Sequence, residues 1–285
     1  MLRALLRRLG VGPRTRRKHR DFNAVDRAAL RTAENVPVVD MHNPGIRVEQ
    51  NIIKNVEAEL MLCSDLRELA RSLGFMSSEP QQVFSAAVAG AEEERRKLGD
   101  VQVTPIRVTG RDERQPADKV APWGHGDAFD VTKVPAYLQD VERSIRARDA
   151  FALGPLRDVT INYRLGRMFK LDPHIDPEAD GENVVIVGLN SDTVLTFTRG
   201  GQGLLRTPEQ IARQSWHPDD IDVAFPRRAA VFFSGDARYV WKHAIRAGVL
   251  LGKPHNVICD WWGDLARLVP RSDERISVVM AFGKV

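Results

Sequence analysis

Two cysteines in 285 residues, Cys63 and Cys259, are too few for a disulfide framework or a thiolate zinc site. No stretch approaches the roughly 18 uninterrupted apolar residues a membrane-spanning helix needs. There is no internal repeat, and no low-complexity tract beyond a basic N-terminal arm. Acidic residues are absent from residues 1–20, which hold eight Lys or Arg. Removing those eight from the chain's 42 basic residues leaves 34 against 38 acidic, a net of −4. The basic character therefore belongs to the arm. The mildly acidic remainder argues against a broad phosphate-binding face.

The arm, residues 1–22, carries Leu2, Leu5, Leu6 and Leu9 at helical spacing among arginines, as an organelle presequence does, while Arg14 to Arg20 suits nuclear import or nucleic-acid binding. An intracellular protein is expected: mitochondrial if the arm is a presequence, otherwise nuclear or cytoplasmic. Beyond it, residues 38–285 read as one domain, a helical, lid-like part (36–150) leading into a β core (156–285). Asn35 to Val39 is expected to be extended, and Asn43-Pro44-Gly45 a turn. From Glu49 to Leu73 apolar residues recur at three-to-four spacing (Ile52, Ile53, Val56, Leu60, Leu62, Leu66, Leu69, Leu73), predicting one helix or two broken near Cys63-Ser64-Asp65. Further helices are expected over Pro80–Leu98 and Pro135–Arg148, with a strand at Val101–Val108. Trp123 and His125, in a glycine-flanked loop, are either a cover over a substrate or a simple anchor.

After Leu156 short strands follow one another: Val159–Tyr163, Val184–Gly188, Val194–Phe197, Val223–Phe225, Ala230–Phe233, Tyr239–Trp241 and Ile276–Phe282, mostly separated by Gly, Pro and Asp turns. That is the texture of a β-sandwich or barrel. Two insets interrupt it, a helical one beginning at Thr207-Pro208 and another over Gly248–Asp273 that contains Trp261-Trp262.

The segment Leu171-Asp172-Pro173-His174-Ile175-Asp176 contains a His-x-Asp pair. In extended chain, residues i and i+2 point the same way, so His174 and Asp176 can reach one ion. His243, in Trp241-Lys242-His243-Ala244-Ile245, supplies a third ligand. Two histidines and one carboxylate with open positions suit non-haem Fe(II) oxygenases. No catalytic group beyond these ligands is identified.

Several segments together resemble the AlkB branch of the 2-oxoglutarate- and Fe(II)-dependent oxygenases: Asn162-Tyr163 before Gly166, Asp172-Pro173-His174-Ile175-Asp176, the hairpin from Val184 to Thr198, Ser234 to Ile245, and Arg275-Ile276-Ser277-Val278. The wording is nearest to the fourth animal AlkB homologue. The resemblance implies a mainly-β (α+β) fold, a double-stranded β-helix or jelly-roll with N-terminal helices against one sheet. It implies Fe(II) on His174, Asp176 and His243, and 2-oxoglutarate as co-substrate near Asn162, Tyr163 and Ser277, its far carboxylate on Arg275. The reaction implied consumes O₂, releases succinate and CO₂, and oxidises a methyl group on protein lysine or nucleic acid. A nucleic-acid substrate would want a basic strip from Arg107, Arg111, Arg164, Arg167 and Lys170.

Two features depart from the family. Its second arginine, six positions on, is Ala281 here. The interval from His243 to Arg275 is long, which leaves Arg246, Arg267 and Arg271 as rival anchors. An alternative follows: a scaffold that has lost turnover and docks a partner through Trp261-Trp262.

Overall fold

The computed structural model describes residues 29–32, 38, 43–75, 106–110, 120–148, 152–167, 169–199, 217, 219–246, 248–251, 257–262 and 264–285. The arm, nearly all of Asn35–Val39, the Pro80–Leu98 helix, the first half of Val101–Val108, Arg111 and the helix at Thr207 lie outside them.

Two antiparallel sheets form the body. One contains, in spatial order, β1 (Leu30–Thr32), β8 (Ile221–Phe225), β7 (Thr193–Thr198), β10 (Lys242–Ile245) and β5 (Leu171–His174). The other contains β2 (Ile46–Glu49), β9 (Ala230–Phe233), β6 (Asn183–Leu189), β14 (Glu274–Phe282), β4 (Leu156–Leu165) and β3 (Ile106–Val108). Eight of these strands pair as though a long hairpin had been folded over: β4 with β14, β5 with β10, β6 with β9, β7 with β8. Nested pairing of this kind, with the chain crossing between two sheets, is the jelly-roll, or double-stranded β-helix. Between β10 and β14 the second inset forms its own sheet, β11 (Val249–Leu251), β12 (Val257–Trp262) and β13 (Asp264–Pro270).

Side chains alternate along each strand, and this splits the apolar residues into two clusters. On β6, Val184 and Ile186 face the inter-sheet core with Leu195, Phe197, Phe225 and Phe233, while Val185, Val187 and Leu189 face outward. The outward face is covered by α1 (Val56–Ser72) and α2 (Ala136–Arg146), so the helices pack on the six-stranded sheet.

α1 is one continuous helix and begins later than the apolar spacing suggests. The Asn55 side chain accepts a hydrogen bond from Ala58 N, which stops the helix from extending back toward Glu49, and Glu49 lies in β2. Its buried face is Glu59, Leu62, Cys63, Leu66 and Ala70, whereas Val56 and Leu60 are exposed. Glu59 belongs on that face because its carboxylate accepts hydrogen bonds from Arg227 and from Asn190 N. The Asn43-Pro44-Gly45 turn is present. Asn43 Oδ1 accepts from Gly45 N and Ile46 N, and at Gly45, with φ of +109°, a Cβ would meet the Ser234 carbonyl at 2.4 Å.

Tyr239–Trp241 is not a strand. Gly235–Tyr239 form a short helix, α3, and Val240 N and Trp241 N both donate to Asp236 O, so the strand starts at Lys242. Trp123 is an anchor: it is fully buried and its indole N–H donates to Val159 O at 2.9 Å. His125 pairs with the buried Asp180 at 2.7 Å.

Candidate metal centre and anion pocket

Strand pairing assembles the candidate metal ligands. β5 and β10 pair with His174 directly opposite His243, and the ring centroids stand 4.2 Å apart. Asp176 follows two residues after His174, just beyond the end of β5. Its Oδ1 lies 3.5 Å from His174 Nε2 and its Oδ2 3.8 Å from His243 Nε2. One ligand atom from each residue falls within 4.8 Å of the other two, a group that could hold a metal ion.

Three details suit these residues to that task. His174 Nδ1 lies 2.9 Å from the Asp172 carbonyl, so Nδ1 carries the proton and Nε2 presents its lone pair. Asp176 Oδ2 is buried with no hydrogen-bond partner. His243 is 3 % exposed, between Phe233 and the His174 ring. Burial, with His174, Arg238 and Arg164 nearby, lowers its pKa to about 3 against the pull of Asp176, so it is a neutral ligand at physiological pH. Burial alone would raise the Asp176 carboxyl. His243, His174 and Arg238 more than reverse that and hold it well below the usual carboxylate range.

Arg238 organises the loop that carries Asp176. Its side chain is 1 % exposed, and its guanidinium donates to the carbonyls of Asp176 (2.9 Å), Gly181 (3.0 Å) and Pro177. α3 places it there. Ala281 sits fully buried in the inter-sheet apolar cluster, so in this chain the cation bracing the aspartate's segment is Arg238.

The three ligands open into a cavity of about 370 Å³ between the two sheets. Its other wall is the inner face of β4 and β14, where the register sets Arg275 opposite Arg164, Ser277 opposite Asn162 and Val279 opposite Thr160. Arg275, Asn162 and Ser277 therefore share the cavity with the metal ligands. Tyr163 does not. Alternation turns it to the outer face, where its hydroxyl donates to Leu66 O among the helix-packing residues, so the co-substrate role expected for it is withdrawn. The same alternation brings in Arg164, which the sequence reading placed only in a candidate surface strip.

Arg275 is 1 % exposed, and its guanidinium lies 5.2 Å above the Phe225 ring with Nε unpartnered. Burial, then Arg164 and Arg271, lower its pKa to about 9, with Asp260 opposing, so it stays charged at neutral pH. The rival anchors are engaged elsewhere: Arg246 with Asp222 at 2.6 Å, Arg271 with Asp260 at 2.6 Å, Arg267 against the Trp262 ring. The basic strip does not form among the described residues. Arg167 pairs with Asp273 and Lys170 with Asp172, while Arg107 and Arg164 line the cavity. Trp262 is half-buried, its indole N–H donates to Asp222 O, and Arg31 and Arg267 lie against its ring, so it is not an open docking surface. No helix among the described residues is long and apolar enough to cross a membrane.

No family model matches the chain. Among solved structures, one titled "prolyl hydroxylase in complex with hypoxia inducible factor oxygen degradation domain peptide fragment from Trichoplax adhaerens" matches with 12% identity and a TM-score of 0.40 over 86% of each chain. Among curated proteins, the chain is similar to the human alpha-ketoglutarate-dependent dioxygenase alkB homolog 4, at 29% identity over 107 residues, which is 32% of this chain and 35% of that protein. The chain thus matches about a third of the length of that relative, and the match supports a relationship to the 2-oxoglutarate oxygenases.

Proposed function

We propose that the protein is an Fe(II)- and 2-oxoglutarate-dependent dioxygenase that oxidises a substrate C–H bond, with N-methyl groups on protein lysine or nucleic acid as the substrates the resemblance implies. One observation carries the reading. Among the described residues, a two-histidine, one-aspartate group with an orphaned carboxylate oxygen shares a cavity with a buried guanidinium that has no carboxylate partner. The ligand set matches the iron arrangement that leaves several positions open, and an unpaired buried cation is costly unless a ligand supplies its counter-charge.

When bound, iron and 2-oxoglutarate would supply oxidising power from O₂, with succinate and CO₂ as co-products. The chain's own contribution is placement. His243 would present a neutral nitrogen and His174 its Nε2, Asp176 would supply the negative ligand, and Arg238 holds its segment. Arg275 offers a planar fork to the co-substrate's far carboxylate, a pairing lysine would not reproduce. Asn162 and Ser277 offer hydrogen bonds beside it, and Ile186, Leu195, Ile245 and Val279 limit water.

The test is succinate formation from 2-oxoglutarate with Fe(II), O₂ and a reductant. Turnover, even without primary substrate, is expected in the wild type and absent in His174→Ala. Arg275→Met should raise the KM for 2-oxoglutarate about 100-fold, the loss of a charged hydrogen-bond pair worth roughly 3 kcal/mol. A wild-type protein that binds neither Mn(II) nor 2-oxoglutarate would refute the assignment.

A further inference from the structure

The cavity holds more positive charge than a dicarboxylate co-substrate can answer. Asp176 is the only acid among its described lining residues, against Arg164 and Arg275, neither of which pairs with a carboxylate among the described residues. A divalent ion would add two further charges. On the dioxygenase reading, one carboxylate of 2-oxoglutarate goes to the metal and the other to Arg275. Arg164 is left over.

Arg164 is 5 % exposed, and among the described residues its Nε has no partner and its guanidinium makes a long hydrogen bond, 3.5 Å, to the neutral Ser277 hydroxyl. Burial, then the neighbouring Arg107, lower its pKa to about 10, so it remains a cation. Arg164 and Arg275 are cross-strand partners, but Arg275 lies over Phe225, while Arg164 leans toward the Ser277–Asn162 row. Arg107 stands one strand further out, opposite Asn162, and its Nε donates to Asn162 Oδ1 at 3.1 Å. The guanidiniums of Arg164 and Arg107 thus flank the Asn162–Ser277 row of the cavity wall. A buried cation in this setting calls for an anion, and a molecule that brings an ammonium group meets like charge instead.

We propose that Arg164, assisted by Arg107, forms a second anion subsite, and that the compound oxidised here is a small organic anion whose carboxylate or phosphate it holds. This rests on the dioxygenase reading and narrows it. The carrier of the oxidised carbon bears an acid group, which a methylated nucleotide or a small organic acid satisfies and a methyl-lysine side chain does not.

Binding can be read without turnover. The full chain is loaded with Mn(II) and saturating 2-oxoglutarate, and three probes of equal chain length are added: butyrate, propyl phosphate and propyltrimethylammonium. Mn(II)-induced broadening of their proton resonances reports both occupancy and nearness to the metal. At least one acid should broaden at concentrations tenfold below the cation, and which acid binds more tightly separates a carboxylate from a phosphate substrate. Arg164→Met should weaken the acid about tenfold or more while changing 2-oxoglutarate affinity less than threefold, and Arg164→Lys should restore part of the loss. The proposal is overturned if the cation binds as tightly as the acids, a comparison that needs no variant. It is equally overturned if Arg164→Met weakens 2-oxoglutarate as much as Arg275→Met does, because Arg164 then belongs to the co-substrate. Failure of the wild type to bind 2-oxoglutarate at all would instead remove the dioxygenase reading, and this subsite with it.

Discussion

Replacing Arg238 by methionine keeps the length and apolar stem of the side chain and removes its five donors. Three of those donors serve carbonyl oxygens on the segment that carries Asp176: those of Asp176, Pro177 and Gly181. An unsatisfied buried carbonyl costs about 1–3 kcal/mol. The Pro177 residue is exposed and the Gly181 residue half-buried, so water can replace part of what is lost, and a total of about 2–4 kcal/mol is expected. The more specific effect falls on the metal. Groups that orient ligands from behind are worth roughly 10–100-fold in affinity, and Arg238 grips the backbone of the aspartate ligand itself. Mn(II) titration by calorimetry should show that loss in Arg238→Met, alongside a lower urea midpoint with unchanged slope. Arg238→Lys, whose single ammonium cannot reach three divergent carbonyls in fork geometry, should recover less than half of it. If Arg238→Met loses stability but binds Mn(II) within twofold of the wild type, Arg238 supports the fold alone and the reasoning fails.

Two further outcomes follow from buried groups away from the cavity. Glu59→Ala should destabilise the protein by about 2–4 kcal/mol in urea unfolding, because the fully buried carboxylate joins α1 to Arg227 and Asn190 N; the range is discounted for Arg227's partial exposure, and Mn(II) affinity should not change. Cys63, whose thiol burial pushes up to about 12 and whose Sγ donates to Asn190 Oδ1, should resist iodoacetamide at pH 8 in the native state and react on unfolding, since a thiolate fraction near 10⁻⁴ supports little alkylation; rapid native labelling would contradict the packing of α1.

Much of the fold was readable because its strands are long enough to alternate. β6, β7 and β14 fall within a residue or two of their expected limits, since each must bury one face between the sheets and, on the six-stranded sheet, the other under the helices. What escaped was local and short. β1 and β2 span three and four residues and offer too little period to count. Tyr239–Trp241 reads as strand because aromatic and β-branched residues favour strand, whereas Val240 N and Trp241 N close back on Asp236 O at the end of α3. In the site, His174, Asp176, His243, Asn162, Ser277 and Arg275 do share one cavity. The misplacement of Tyr163 had a remedy in the sequence itself. The alternation that joined His174 to Asp176 also joins Asn162 to Arg164 and excludes the residue between them. The role of Arg238 had no such signal, because its partners are main-chain oxygens sixty residues away, and composition cannot reveal them.

The division of labour between the sheets explains why this architecture suits a metal and an acid together. The candidate metal ligands lie on β5, just past its end and on β10, and among the described residues β5 is an edge strand with β10 as its neighbour. An edge leaves one side of the ion facing the cavity and lets the Asp176 segment leave the sheet to complete the set. Arg275 lies near the start of β14, paired with Arg164 of β4 and one residue before the point where β14 also pairs with β6. Facing sheets stand roughly 10 Å apart. That separation, fixed by the Phe197, Phe225 and Phe233 packing between the layers, sets the reach from the ligands on one sheet to the guanidinium on the other. A five-carbon diacid can chelate at one end and pair at the other across such a gap, whereas a three-carbon diacid can satisfy only one end. On the dioxygenase reading, selectivity for co-substrate length would be a property of core packing, and residues that touch neither metal nor acid would help to enforce it.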